Sequence, residues 1–256
     1  MPIETRYITP PNLSSAYLGQ KILCHRSMRL GSPRLNIEEY NNKIIANNYG
    51  HGGSGWTIGF GCAQYVNDLL INSKHSANLS YNTPITIIGA GIIGLFSAYD
   101  LYKKGYKNIT IMADQFEYIV SHNAGGLLAP VSMSNDLEIQ NLIDQLGIDA
   151  YKFFKSIADN THEDFKKGAS IVPTYFRDKK SSGLEPYVGV TMQPAKDVIL
   201  DFGNGTKQKM IAYDDGIFID TSLLMMELKS YLENKVIFKK KKISDFSDVK
   251  TKFIIN

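Results

Sequence analysis

An apolar, β-branched run, Ile85-Thr86-Ile87-Ile88, follows Pro84 and ends in Gly89-Ala90-Gly91-Ile92-Ile93-Gly94. Few architectures accommodate that join. Such a run reads as a buried parallel strand. The residues after it carry Leu95, Ala98, Tyr99 and Tyr102 at helical spacing, which predicts a helix over Ile92 to Lys104 with Gly105 as its C-terminal cap. Asn108 to Met112 then predicts a second strand, completing a βαβ unit. In this setting Gly89 permits a tight turn, Gly91 lets a pyrophosphate approach the backbone, and Gly94 lets the helix pack on the strand. The helix N-terminus offers N–H groups and a partial positive charge to that phosphate. Asp114 stands twenty residues beyond Gly94, where a carboxylate would accept hydrogen bonds from ribose hydroxyls and repel a 2′-phosphate. NAD and FAD both satisfy this fingerprint.

The remainder of the chain sets bounds. With 256 residues, 43% hydrophobic and 21% charged, it can build a substantial core and is not compositionally disordered. No apolar run is long enough for a membrane span, and the first six residues lack a signal-peptide core. Two cysteines, Cys24 and Cys62, cannot make a disulfide framework or a four-cysteine zinc site, so a cytoplasmic setting is expected. A net charge of +3 gives no argument for nucleic acid, and Lys239 to Lys242 reads as a solvated strand end. The five histidines show no ligand spacing, so no metal is expected. Further elements are predicted: a helix over Leu137 to Ile157 interrupted at Gly147, a strand over Ile171 to Phe176, a hairpin about Gly203-Asn204-Gly205, and a helix over Thr221 to Leu232. Strands are predicted over Lys235 to Lys239 and Lys252 to Ile255. Residues 72–83 are small and polar and read as a linker.

A second glycine-rich stretch, Tyr49-Gly50-His51-Gly52-Gly53-Ser54-Gly55-Trp56-Thr57, is costly to order. Close approach of backbone to a flat ligand would justify it. It leads through Gly59-Phe60-Gly61-Cys62-Ala63 to a short helical pattern, Ala63 to Leu70, which makes a second helix N-terminus available.

This stretch resembles the flavin-contacting motif of the D-amino-acid oxidase family, FAD-dependent oxidoreductases of the wider glycine oxidase and sarcosine oxidase group. Ile111 to Phe116 is similar to that family's second strand. Ala124-Gly125-Gly126-Leu127-Leu128-Ala129-Pro130 is similar to its next flavin-contacting loop, and Phe218 through Leu232 to Phe253-Ile254-Ile255-Asn256 is similar to the helix and strands that precede its third adenine-side loop. The likeness is loose over 131–216. It implies an α/β fold: a Rossmann-like FAD-binding domain, a parallel sheet with helices, plus part of an antiparallel-sheet substrate domain. In the family the Tyr-Gly-His-Gly-Gly motif lies near the C-terminus; here it precedes the dinucleotide turn. The chain is therefore expected to be circularly permuted. Residues 1–71 would be a permuted segment packing on the FAD domain and 72–83 the linker. Residues 84–256 would be the FAD-binding domain, with a partial substrate domain at about 165–220. The family's matching strand runs on beyond the position of Asn256, into a Cys-Thr-Gly-type loop and more of the substrate-domain sheet. The expectation is that the remainder of a longer chain, or a partner subunit, supplies those parts.

The resemblance also implies chemistry. The family oxidises an amino acid by transferring the Cα hydrogen as hydride to FAD; the imino acid hydrolyses, and molecular oxygen accepts the electrons to give hydrogen peroxide. Arg26, in Cys24-His25-Arg26-Ser27-Met28-Arg29, falls on the position of the carboxylate-clamping arginine, with Arg29 as its fallback. Gly53 would offer backbone to the substrate amine. For FAD, Gly89, Ala90, Gly91, Ile93 and Gly94 fall at the pyrophosphate and Asp114 and Gln115 at the adenosine. Ser121 and His122 fall near phosphate or ribose, and Gly125, Gly126 and Leu127 face the isoalloxazine. Gly52, Ser54, Gly55, Trp56 and Thr57 fall at its pyrimidine side. His51 reads as a structural hydrogen-bonder. Two other readings stay open. An NAD-dependent dehydrogenase leaves residues 49–63 without a role. A truncated FAD-binding protein would bind flavin without oxidase activity.

Overall fold

The computed structural model describes residues 3–77, 79–129 and 137–256. Pro130, at the end of the third glycine-bearing segment, Asn78 of the linker, and Met1 and Pro2 of the N-terminus lie outside the described residues. In chain order the strands and helices are β1 (Glu4–Tyr7), β2 (Arg34–Tyr40), β3 (Lys43–Tyr49), α1 (Gly55–Asn72), β4 (Ile85–Ile88), α2 (Ile92–Lys103), β5 (Ile109–Ala113), α3 (Leu137–Ala158), β6 (Ala169–Ile171), β7 (Thr174–Phe176), β8 (Lys196–Asp201), β9 (Lys207–Tyr213), β10 (Ile217–Ile219), α4 (Thr221–Leu232), β11 (Ile237–Lys240) and β12 (Phe253–Ile255).

The predicted βαβ unit is β4, α2 and β5. It forms the centre of a six-stranded sheet in the order β11-β5-β4-β12-β3-β2, parallel except for the β2–β3 hairpin. Asn41 and Asn42, both at positive φ (48° and 61°), make that hairpin's two-residue turn. Ile44, Ala46, Ile85, Ile87, Ile109, Ile111, Ala113, Phe253 and Ile255 carry the sheet's share of the main core. Helices α1 and α2 pack on that core through Trp56, Phe60 and Phe96, and α3 adds Phe153 and Phe154. A second sheet, β1-β8-β9-β7, is antiparallel apart from the parallel β1–β8 pair, and β10 pairs with β6. The mixed α/β class and its two kinds of sheet are as expected.

Several local expectations change. Helix α1 starts at Gly55, not near Ala63. Gly59 and Gly61 therefore lie inside the helix, and they serve packing: a Cβ at Gly61 would sit 2.1 Å from the Leu146 carbonyl oxygen and one at Gly59 2.8 Å from Ile93. Helix α3 runs through Gly147 without a break, because that glycine makes room for Tyr187, whose hydroxyl would lie 1.9 Å from a Cβ there. The single strand expected over Ile171 to Phe176 divides into β6 and β7, which join different sheets. Val172-Pro173 separates them, and proline offers no N–H to a ladder. Asp220 caps α4, its side chain accepting from the Leu223 N–H at 2.9 Å.

Candidate functional site

Strand β12 lies between β4 and β3, so the C-terminal ends of those two strands stand about 10 Å apart. Each end opens into its own glycine-rich turn and then a helix. One cleft of about 560 Å³ lies over these ends. Gly89, Gly91, Ile93 and Gly94 line it from the first turn, and Gly52, Gly53, Gly55 and Trp56 from the second. Ser121 and Gly125 come from the loop after β5, and Arg26 from the N-terminal region. Gly53 and Gly91 thus share one continuous cavity.

The first wall is shaped by backbone geometry. Gly89 has φ +99°, a conformation that disfavours side chains. A Cβ on Gly94 would lie 2.1 Å from the Gly89 carbonyl oxygen, so strand and helix approach only because position 94 is bare. Gly91 is different. It caps α2 with φ −71° and ψ 177°, which any residue adopts, and a Cβ there meets only the Ser121 hydroxyl at 3.2 Å. The first-turn N–H groups of a helix have no partners within it. One of these, the Ile92 N–H, donates to Ser121 Oγ at 3.0 Å.

The second wall is strapped to the segment carrying Arg26. The Arg29 N–H donates to the Gly50 carbonyl (3.2 Å), the Gly52 N–H donates to the Ser27 carbonyl (3.0 Å), and Met28 bridges His51. The stem of Arg29 covers Gly50, and its guanidinium reaches the Ser32 carbonyl at 3.4 Å. Arg29 is thereby committed to the loop. Arg26 is exposed in the cleft and has no hydrogen bond or ion pair among the described residues. Trp56 joins the two walls: its indole N–H donates to the Ser121 carbonyl at 3.1 Å while its ring packs against Phe96 and Phe154.

Asp114, Gln115 and Ala90 line an adjoining groove that shares Gly89, Gly91 and Ser121 with the cleft. Lys241 and Lys242 form part of the same groove, so the basic cluster is not wholly a solvated strand end. Five candidate positions line neither the cleft nor the groove. Gly126 to Leu128 pair with β10, the Ile219 N–H donating to the Gly126 carbonyl at 2.8 Å, and a Cβ on Gly126 would strike the Ile219 carbonyl oxygen at 1.8 Å. Leu127, 46% exposed, bridges Phe218. Ser54 and Thr57 are buried, with Thr57 Oγ1 donating to the Ala129 carbonyl at 3.4 Å. His122 faces a separate cavity between α2 and α4, beside Leu95, Met225 and Met226.

Two buried polar side chains lining the cleft have atoms with no hydrogen-bond partner among the described residues: Asn48, through both its oxygen and its nitrogen, and His51 through Nε2. Asn48 escapes motif reading. Its only signal is phase, since it follows Ile44 and Ala46 on the core-facing side of β3. Burial pushes the His51 pKa down to about 4, so it is neutral near pH 7. An unfolded histidine takes up its proton near pH 6.5, before the folded one does. This contribution to stability is therefore complete above pH 6.5 and is lost as pH falls toward 4. We predict a decline of up to ~3 kcal/mol in unfolding free energy across that window, to which the half-buried His162, shifted the same way, adds. Denaturant titrations at several pH values check this: His51→Asn should flatten most of the decline, and an unchanged slope would contradict it.

The arrangement fits an elongated dinucleotide. The groove and cleft are continuous, a helix N-terminus meets them at their junction, and Gly89 and Gly125 present bare backbone with no atom within 4 Å of a Cβ position. Unpartnered polar groups, Asn48 and His51, lie in the wall. Among the described residues no group of three His, Cys, Asp or Glu side chains is placed to hold a metal ion, and no helix is long and apolar enough to cross a membrane.

A family model described as FAD dependent oxidoreductase matches residues 84–248. No curated protein sequence matches the chain. Among solved structures, an iminodiacetate oxidase from Chelativorans sp. BNC1 is 16% identical, with 62% of this chain and 47% of that one covered at a TM-score of 0.46. A glycine oxidase from Bacillus cereus is 14% identical, covering 64% and 49% at 0.46. An L-alpha-glycerophosphate oxidase from Mycoplasma pneumoniae, solved with FAD bound, is 15% identical, covering 64% and 46% at 0.45. The matches span about half the length of each of these proteins, and likeness at this level decides neither reaction nor substrate.

Proposed function

The chain belongs to the FAD dependent oxidoreductase family, and on that premise we propose that it oxidises the C–N bond of an amino acid. The substrate class is a D-amino acid, glycine or an N-substituted glycine, with molecular oxygen as the electron acceptor. The observation that carries this reading is the cleft that brings the two glycine turns together, open over Gly89 and Gly125, and whose rim holds Arg26 without a partner among the described residues.

In this proposal the α2 N-terminus, Gly89 and Gly91 take the pyrophosphate of FAD, and Asp114 with Gln115 takes the adenosine. Gly52, Gly53, Gly55, Trp56 and Gly125 border the ring end. Bound FAD supplies an acceptor for hydride from the substrate's Cα. The chain's own residues supply orientation. Arg26 holds the substrate carboxylate by paired charge-assisted hydrogen bonds, and Gly53 directs backbone at the amine. A neutral amine needs no strong base, so His51 is left to structure.

The sheet order supports the permuted domain reading. Strand β3 and helix α1 precede β4 in sequence, yet β3 lies beside β12 in the same sheet. We propose residues 1–71 as the permuted segment, 72–83 as the join, and 84–256 as the FAD-binding domain with part of a substrate domain at about 165–220. More of that domain would come from a longer chain or a partner subunit.

The test is a visible spectrum of the purified protein, followed by a screen of amino acids for peroxide release. Flavin absorbance with peroxide from one substrate class supports the proposal; flavin without peroxide from any of them returns the truncated, non-oxidising reading. Arg26→Ala should raise KM at least ~10-fold, since each charge-assisted bond is worth about 1.5–3 kcal/mol, while leaving the flavin spectrum intact. An unchanged KM would remove Arg26 from this role.

A further inference from the structure

Two asparagines stand side by side at the end of β3 and are treated oppositely. Asn47 is fully engaged: its Nδ2 donates to Asn36 Oδ1 (3.2 Å) and Glu38 Oε1 (2.9 Å), and its Oδ1 accepts from Asn256 Nδ2 (3.4 Å). Asn48 points to the other face, the one that Ile44 and Ala46 give to the main core. It is 3% exposed, and neither of its carboxamide atoms has a partner among the described residues. A buried amide with nothing to bond is destabilising, and an apolar residue would fill this strand position at no such cost. Asn48 nevertheless lines the cleft.

Its place along the cleft is set by register. The Asn48 N–H donates to the Asn256 carbonyl at 2.7 Å, just past β12, and Ile255 of β12 pairs with Ile87 of β4. Asn48 is thus about 10 Å from the strand that feeds the Gly89 turn. Along the chain it precedes Gly50 by only two residues. It therefore lines the cleft from the strand that leads to Gly52 and Gly53, two strand spacings from the one that leads to the Gly89 turn. A dinucleotide flavin spanning both ends must lay its polyol chain across that interval. Neighbouring hydroxyls on such a chain both donate and accept, as a carboxamide does.

We infer that Asn48 binds the polyol chain of the flavin, reading its hydroxyls with both carboxamide atoms and so fixing how far the ring projects from the pyrophosphate. This rests on the FAD reading above. The experiment compares two probes, FAD and ADP, on the wild type and on Asn48→Leu, measured by equilibrium dissociation constants and by thermal unfolding without ligand. ADP carries the adenosine and diphosphate but no polyol. The expected result is FAD affinity reduced at least ~10-fold in Asn48→Leu, ADP affinity unchanged, and a ligand-free melting temperature equal to or above that of the wild type. Unchanged FAD affinity would overturn the inference alone. So would equal losses for FAD and ADP with a lowered melting temperature, which would make Asn48 a structural residue. A wild-type protein that takes up no FAD would overturn the FAD reading and this inference with it.

Discussion

Gly91→Val should leave a folded protein that no longer holds FAD. Most glycines in nucleotide-binding turns serve the fold and the ligand together, and their substitution cannot separate the two. Gly91 can. Its backbone angles are ordinary, φ −71° and ψ 177°, and a Cβ there meets only the Ser121 hydroxyl at 3.2 Å. Losing glycine at a helix N-cap costs at most about 1 kcal/mol, a shift of roughly 2–4 °C in Tm for a chain of this size. A valine in the mouth of the cleft would hold the pyrophosphate away from the first turn of α2. Charge-assisted hydrogen bonds are worth about 1.5–3 kcal/mol each, so losing two weakens FAD at least ~100-fold. Calorimetry with and without FAD checks both halves. If the variant binds FAD as the wild type does, the phosphate does not approach this backbone.

Gly94→Ala should fail for the opposite reason. The added methyl would sit 2.1 Å from the carbonyl oxygen of Gly89, just past β4, and 3.5 Å from Ile87 Cγ2 on that strand. Alanine's better helix propensity returns about 1 kcal/mol, but overpacking against fixed backbone costs about 1–3 kcal/mol or more, and the clash wins. Tm should fall by several degrees, and FAD binding should fall with it because the turn between Gly89 and Gly94 is displaced. A variant as stable as the wild type would mean that α2 shifts freely on β4. The pair of variants distinguishes a glycine required by the ligand from one required by packing.

The βαβ unit was legible because its signals are local: the apolar run, the helical spacing and the glycine turn all fall within 84–113. The hairpin of β2 and β3 does not follow from the sequence reading, although Asn41-Asn42, at positive φ, makes its turn. Elements that depend on distant chain were beyond reach. The continuity of α3 through Gly147 depends on Tyr187, and the parallel pairing of β1 with β8 joins Arg6 to Leu200. The same division holds within the site. Gly89, Gly91, Gly94 and Asp114 follow from motif spacing. Gly126 looks like a ligand-facing glycine in sequence but is required by the Ile219 carbonyl, and Asn48 becomes conspicuous only when its neighbours are known to leave it unpartnered.

One FAD molecule bridging both glycine segments would lie against Trp56, the sole tryptophan, which lines the cleft from the second of them. Its emission should be titrated with FAD, and the complex then challenged with ADP, which can occupy only the groove and the first segment. The expected result is saturable quenching at one FAD per chain and recovery of emission as ADP displaces the flavin. Quenching that never saturates, or that persists unchanged under excess ADP, would contradict it.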